Sequence, residues 1–298
     1  MGTICFETKQ QIKPRYNEHK IITKQNNTNK TSGLENYGEA SVCNNSTSGN
    51  DNHIISEIEI NKELIGKNIR IINSYESFER SRKKTAFDEK LRNEIEIRKC
   101  KIFIEGNLIP FSYFYKFDKE GTFKIKYCFK NNLKSLYGLF CECIYIKTLN
   151  FSNFNSNDAI STEYMFYFCR SLNKLNLTDF NTKNVTNMQY MFYYCDLLNE
   201  LNLTKFNTKN VTNMQYMFYS CSNIKKLNLS SFNTNSVTSM QYMFKYCSSL
   251  TDLDLSNFKT QENTKLEWMF GSCGSLTKSL LICYDEKILG VANNFLKN

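Results

Sequence analysis

The sequence repeats itself every 26 residues. Six cysteines mark the period without an insertion or deletion, and they are Cys143, Cys169, Cys195, Cys221, Cys247 and Cys273. A phenylalanine column keeps the same spacing at Phe140, Phe166, Phe192, Phe218, Phe244 and Phe270. Fixed periods of roughly 20 to 50 residues are typical of proteins in which each unit buries its apolar side chains against the next unit. We therefore predict that residues 123–278 form six 26-residue units.

One repeat predicts its own local structure. In the segment LNKLNLTDF, which starts at Leu172, two leucines alternate around an asparagine, and a period of two indicates a short strand. After the turn sequence NTKN, apolar residues from Met188 to Leu198 recur every three to four positions, as on one face of a helix. A capping box, T-x-x-Q/E, precedes this stripe. It occurs at Thr186 with Gln189, Thr212 with Gln215, Thr238 with Gln241 and Thr264 with Glu267.

These repeats resemble a known family. The phrase L-x-L-S/T-x-F-N-T-x-x-V-T-x-M-x-Y-M-F-x-x-C-x-x-L is similar to the 26-residue repeat of BspA-like leucine-rich-repeat proteins, which are bacterial and mycoplasmal surface proteins. The identical segment FNTKNVTNMQYMF at 180–192 and 206–218 carries the resemblance best. The fold that follows is an α/β solenoid, a leucine-rich-repeat right-handed coil with a parallel sheet on one face and short helices on the other. The resemblance also implies adhesion or protein binding.

The segments outside the repeats differ in composition. Residues 1–55 are rich in Asn, Lys, Thr and Ser without periodicity, which predicts a disordered polar leader. Residues 56–122 predict a small β-rich N-terminal cap with a charged linker, because short Ile- and Phe-rich runs alternate there with turn sequences. Residues 279–298 predict a C-terminal cap with a final strand and a helix. Caps are expected because the ends of a repeat array expose its core.

The N-terminus predicts where the protein resides. No apolar run reaches the roughly 18 residues that span a bilayer, and no signal peptide is recognisable. Gly2 and Cys5 suit myristoylation and palmitoylation, the two anchors that stable membrane attachment requires; the alternative is an ordinary start with a free cysteine. We therefore expect a cytoplasmic protein, with membrane tethering by acylation or a cell-surface location as alternatives. Of the net charge of +9, the residues before Asn150 carry +7, which favours a solvated basic segment over a nucleic-acid or lipid contact.

The sequence contains no recognisable catalytic or metal-binding motif. The P-loop, zincin, nucleophile-elbow and dinucleotide-binding motifs are absent, and both histidines, His19 and His53, fall in the predicted leader. We expect the cysteine column to be buried thiols packed as small apolar groups, rather than disulfides or a zinc site. The alternative, a cysteine enzyme, would depend on Cys100, Cys128, Cys141, Cys283 or the N-terminal cysteines. We expect no catalysis, metal or cofactor.

Binding therefore has to come from the surface. We predict a partner-binding sheet face formed by Lys174, Asn176, Glu200, Asn202, Lys226, Asn228, Asp252 and Asp254. Its asparagine positions could instead hydrogen-bond to one another along the repeats. A second row, for which packing is favoured over binding, is Tyr164, Tyr190, Tyr216, Tyr242 and Trp268. We predict a non-catalytic protein–protein interaction module, a solenoid scaffold with a protein partner and no nucleic acid. An exported adhesin is the alternative, and the oligomeric state stays open.

Overall fold

The computed structural model describes residues 52–83 and 86–298. All of the described residues belong to one compact unit. Nearly all of the predicted leader lies outside the described residues, as do His19 and the acylation candidates Gly2 and Cys5.

The described residues contain eleven strands and three α-helices. The N-terminal elements are β1 (His53–Ile60), β2 (Ile69–Arg70), α1 (Tyr75–Ser81), α2 (Glu94–Arg98), β3 (Lys101–Ile104), β4 (Asn107–Ile109), β5 (Phe114–Tyr115) and β6 (Gly121–Cys128). The later elements are β7 (Ile146–Asn150), β8 (Lys174–Asn176), β9 (Lys226–Asn228), β10 (Asp252–Leu255), β11 (Leu281–Cys283) and α3 (Glu286–Phe295). Short 3₁₀ helices lie at Lys62–Leu64, Glu89–Leu91 and Lys278–Leu280.

A mixed six-stranded sheet joins the N-terminal strands to the first repeats. Its order is β4-β3-β6-β1-β7-β8, antiparallel except for the parallel pair β7–β8. The isoleucines Ile54, Ile58 and Ile60 alternate in β1 and point into the core. Strand β1 begins inside the segment predicted as leader, so the placement of His53 there is wrong: the residue is buried at the start of the strand. Strand structure also continues past residue 122, because β6 ends at Cys128.

The later repeats pair in a separate sheet of three parallel strands, in the order β11-β10-β9. Leu253 of β10 lies between Leu227 of β9 and Leu281 of β11, and all three leucines are buried. Helix α3 follows and packs Ile288 and other apolar residues against the core. These last elements lie in the segment 279–298, which the sequence assigned to a C-terminal cap.

The predicted fold, a leucine-rich-repeat coil with helices opposite a continuous parallel sheet, is wrong. Among the described residues, the three α-helices all lie outside residues 129–277, and the strands belong to a mixed sheet and a separate smaller one. The apolar stripe that begins at Met188 forms successive turns. Tyr190 and Tyr194 have positive φ angles of 58° and 57°, and a left-handed residue interrupts an α-helix. The two left-handed residues are four positions apart, so each pair of turns repeats after about four residues. The apolar side chains therefore recur at nearly the spacing of an α-helix although no helix forms.

Hydrogen bonding between repeats explains why the turns replace a helix. The amides of Tyr190, Phe192 and Tyr194 donate to carbonyls of the next repeat, at N–O distances of 3.0, 2.9 and 2.9 Å. The intervening amides bond three residues back, as from Tyr193 to Tyr190 at 3.2 Å. Alternate backbone donors are therefore shared with the neighbouring repeat, whereas an α-helix bonds every donor internally.

The predicted capping boxes are also wrong, because there is no helix end at these positions. The Thr212 hydroxyl donates to the Thr186 carbonyl of the preceding repeat at 3.2 Å. The Gln189 side-chain amide donates to Gln215, its equivalent one repeat later, at 2.9 Å. The threonine and glutamine columns thus join neighbouring repeats and cap nothing.

A second, buried threonine column also joins the repeats. The Thr208 hydroxyl donates to the carbonyl of Asn233 at 2.9 Å and accepts from the amide of the same residue at 2.8 Å. Thr182 and Thr234 make the equivalent pairs of bonds, and Ser156 makes them in the first repeat of the series. Each hydroxyl satisfies one donor and one acceptor of the adjacent backbone, which burial would otherwise leave unpaired.

Candidate binding surface

The predicted sheet face is accessible to solvent. We call the eight residues of that prediction, Lys174, Asn176, Glu200, Asn202, Lys226, Asn228, Asp252 and Asp254, the outward face. Five of them are exposed, and Asn176, Asp252 and Asp254 are half-buried. In β9 and β10 the register sets Lys226 beside Asp252 and Asn228 beside Asp254. Leu227 and Leu253, which lie between these positions, point into the core, as the period of two requires.

The asparagines of the outward face shape the backbone after each strand segment. Oδ1 of Asn202 accepts from the amide and the hydroxyl of Thr204, at 3.1 and 2.7 Å. Asn176 and Asn228 make the equivalent turns, and Asp254 accepts from the amide two residues on. This is the Asx-turn geometry that favours Asn and Asp. Asn176 also donates to Asn150 at 3.1 Å, one link of the predicted amide ladder.

The charged side chains of the outward face make fewer contacts within the protein than its asparagines do. Lys174 and Glu200 are exposed, and Lys226 forms an ion pair of 3.4 Å with Asp252 at the surface. Exposed pairs of this kind contribute little to stability, about 0–1 kcal/mol. The signs along the row alternate from repeat to repeat, whereas the buried columns hardly change.

A recess interrupts the outward face between β8 and β9. In the part of the chain that the structure describes, no strand lies between these two, and residues 199–203 make no backbone hydrogen bond to either. Two cavities, of about 640 and 420 Å³, open here and share Asn199, Glu200 and Asn202. Leu175 and Leu201 are only partly buried beside them, unlike Leu227. Nothing in the sequence signals this recess, because residues 201–204 repeat the letters LNLT of residues 175–178.

The aromatic row forms a second surface. The rings of Tyr164, Tyr190, Tyr216 and Tyr242 stack face to face, with centroids 4.7, 4.8 and 4.6 Å apart. Stacked rings hide their faces from a ligand, so this geometry supports packing between repeats for the four tyrosines. Trp268, the last member of the row, is 49% exposed and contacts Phe295 at 5.4 Å.

The cysteine column holds free, buried thiols. The Cys221 Sγ donates to the carbonyl of Phe192 in the preceding repeat at 3.1 Å. The same bond recurs at Cys169, Cys195, Cys247 and Cys273. Burial raises the pKa of every thiol in the column, and that of Cys273 to about 12. The column therefore fills a small apolar position and donates one weak hydrogen bond.

The other thiols of the cysteine-enzyme alternative are placed as follows. Cys100 and Cys141 are buried, and burial raises the pKa of both thiols. Burial also raises the pKa of Cys283, near the C-terminal end. Cys128 is half-buried at the end of β6, and the N-terminal cysteines lie outside the described residues. Within residues 52–83 and 86–298, no three His, Cys, Asp or Glu side chains cluster as metal ligands would. No helix in these ranges is long and apolar enough to cross a bilayer.

The period, the shared backbone bonds and the side-chain columns together define a repeat protein. The chain belongs to the family described as "Mycoplasma protein of unknown function, DUF285", which matches residues 113–202 and 195–293, more than half of the sequence. None of the curated proteins and none of the solved structures compared with it matches the chain.

Proposed function

We propose that this protein is a non-catalytic interaction module that binds a protein partner through the outward face, centred on the recess. The recess is the observation that carries the proposal. It combines apolar surface from Leu175 and Leu201 with a rim of lysine and glutamate side chains. Protein interfaces bury an apolar centre inside a polar rim, and rim charges select the partner and its orientation.

The charges beside the smaller cavity indicate the chemistry of the partner. Lys174 and Glu200 line this cavity with opposite charges, and both side chains are exposed. They favour a partner surface with charges of the opposite order.

A photo-crosslinking experiment in the native cell tests this proposal. A photoreactive amino acid at Asn202, in the recess, should give a discrete cross-linked partner band. The double variant Glu200→Lys with Lys226→Glu should remove that band, because it reverses the rim charges. The matched control carries the photoreactive residue at Lys209, an exposed turn position outside both cavities. The same bands from both positions would contradict the proposal.

The location is part of the proposal. We favour a cytoplasmic protein, with tethering through acylation of Gly2 and Cys5 as the alternative; both residues lie outside the described residues. Intact mass spectrometry of the native protein separates the two. A myristate-sized addition and a second acyl group that hydroxylamine removes would identify the tethered form, whereas an unmodified N-terminus would contradict the tether and leave an untethered module.

An exported adhesin is the second candidate. The resemblance of the repeats to those of BspA-like surface proteins supports it, and so does the family match. The free thiols of the cysteine column weigh against it, because exported proteins meet oxidising conditions. Protease treatment of intact cells separates the two candidates: digestion of the repeats from outside would favour the adhesin and contradict the cytoplasmic module.

A further inference from the structure

Three aromatic rings surround one lysine ammonium group near the C-terminal end of the repeats. Nζ of Lys245 lies 4.6 Å from the centroid of Trp268, 5.0 Å from that of Tyr246 and 5.5 Å from that of Tyr242. All three distances are within the roughly 6 Å at which a cation is attracted to a ring face. Tyr246 is 41% exposed and Trp268 49% exposed, so the cluster opens to solvent. We call the three rings of Tyr242, Tyr246 and Trp268 the aromatic cage.

The sequence changes at two positions to make room for the cage. Lys245 stands where earlier repeats have Tyr167, Tyr193 and Tyr219, and Gly271 stands at that position one repeat later. A Cβ atom on Gly271 would lie 3.3 Å from Cγ of Lys245 and 3.2 Å from Cε3 of Trp268. The missing side chain therefore lets the lysine stem lie against the indole ring. The rings of Tyr167, Tyr193 and Tyr219 stack on one another, with centroids 4.9 and 4.6 Å apart. This stack ends at Lys245, where an ammonium group replaces the next ring.

The cage attracts positive charge through its rings. Ring faces carry the negative lobe of the aromatic quadrupole. No carboxylate in the described part of the chain forms an ion pair with Lys245, so the rings supply the contacts that its ammonium group makes. An ammonium group is compact and strongly hydrated, and it gives up water with difficulty. A quaternary ammonium group has no N–H donors to lose, and aromatic cages are the usual sites that recognise it.

We propose that the aromatic cage binds a trimethylammonium group, and that Lys245 occupies the site in its absence. The lysine is half-buried on a flexible stem at an open surface, so it can leave as the ligand enters. The ligand's methyl groups then contact the faces of Trp268 and Tyr246. This site is separate from the outward face and does not depend on the function proposed for that surface.

Tryptophan fluorescence tests the proposal directly, because Trp268 is the only tryptophan in the chain. Titration of the full-length protein with choline chloride should change the emission in a saturable way. The control ligand is the neutral isostere of choline, in which a tert-butyl group replaces trimethylammonium. It has nearly the same shape without the charge and should give no saturable change. Equal responses to the two compounds would overturn the proposal.

Two variants separate binding from a packing role. Lys245→Met keeps an apolar stem and removes the competing charge, so choline should bind about three-fold more tightly or better. Tyr246→Ala removes one exposed wall and keeps the reporter, so binding should weaken by about three-fold or more. Circular dichroism checks that both variants are folded. If only Lys245→Met responds to choline, the lysine is a permanent occupant and the proposal fails.

The source of the trimethylammonium group can be assigned in the same study. Sedimentation with phosphatidylcholine vesicles, but not with phosphatidylglycerol vesicles, would identify a lipid headgroup. Choline binding without sedimentation would identify a soluble ligand. Either result supports the cage, whereas sedimentation with phosphatidylglycerol alone and no response to choline would overturn it.

Discussion

The buried Thr208 hydroxyl offers a sharp test of how the repeats are held together. Its side chain is 1% exposed, and it makes one bond as donor and one as acceptor to Asn233 of the next repeat. Thr208→Val keeps the branched shape and removes only the hydroxyl. The amide and the carbonyl of Asn233 then lose their partners at a part-buried site.

The expected cost follows from these two bonds. A neutral hydrogen bond contributes about 1 kcal/mol net, and a backbone group left without a partner costs about 1–3 kcal/mol. Water can reach part of this site, so we expect Thr208→Val to lower the free energy of unfolding by about 2–4 kcal/mol. Urea denaturation, followed by circular dichroism, measures the difference.

The control is Thr208→Ser, which keeps both bonds and removes a methyl group. Ser156 makes the same two bonds in an earlier repeat, so serine fits this position. We expect a loss of about 1 kcal/mol for the missing methyl group. If Thr208→Val costs no more than Thr208→Ser, the hydroxyl column does not hold the repeats together and the reasoning is wrong.

Three further changes test other positions in the repeats. Burial raises the pKa of the Asp196 carboxyl to about 6, although Arg170, 3.9 Å away, lowers it. Because the pKa is raised in the folded protein, the contribution of this carboxyl to the free energy of unfolding is fully present below its ordinary pKa. The contribution is lost as the pH rises through about 6. Asp196→Asn should be more stable than the parent by about 1–2 kcal/mol at pH ~7.5 and nearly equal at pH ~3.5, measured by urea denaturation at both pH values. Cys221→Ala should cost about 1–3 kcal/mol in a thermal melt, because the thiol volume and its bond to Phe192 are lost. Tyr216→Ala should cost about 2–4 kcal/mol and Tyr216→Phe under about 1 kcal/mol in the same assay, because the ring stacks on both neighbours.

Each of these changes has a result that would count against it. A pH-independent effect of Asp196→Asn would show that the carboxyl is not destabilised by burial. If Cys221→Ser equals the parent while Cys221→Ala does not, the hydrogen bond matters more than the apolar packing. A Tyr216→Phe variant as unstable as Tyr216→Ala would assign the stability to the hydroxyl instead of the stacked ring.

The 26-residue period could be predicted from the sequence, but the backbone conformation within each repeat could not. The exact spacing of Phe192, Phe218 and Cys221 identifies residues that are buried, because inward positions must repeat when each unit packs against the next. The helix prediction failed because Tyr190 and Tyr194 adopt left-handed angles that such residues rarely take in isolation. Only the bonds to the next repeat make that conformation favourable, and no single repeat contains this information.

For the surfaces, too, the sequence predicted some features and not others. The alternation around Asn176 predicted which side chains point away from the core, and the structure leaves them accessible. The recess at Leu201 could not be predicted, since it depends on missing backbone pairing and not on residue type. The aromatic cage could be recognised only from Lys245 and Gly271, which depart from the tyrosines at the same position of earlier repeats. The row that ends at Trp268 does not by itself indicate the cage.

The shared backbone bonds govern how a protein of this kind can change in length during evolution. Each repeat offers donors at Tyr190, Phe192 and Tyr194 or their equivalents, and they meet carbonyls of the next repeat in fixed order. Gain or loss of a whole repeat preserves every pairing. A single inserted residue would shift all donors against their acceptors and turn apolar side chains outward. Duplication and deletion of complete repeats by recombination are therefore the tolerated route, and sister proteins should differ in length by multiples of 26 residues.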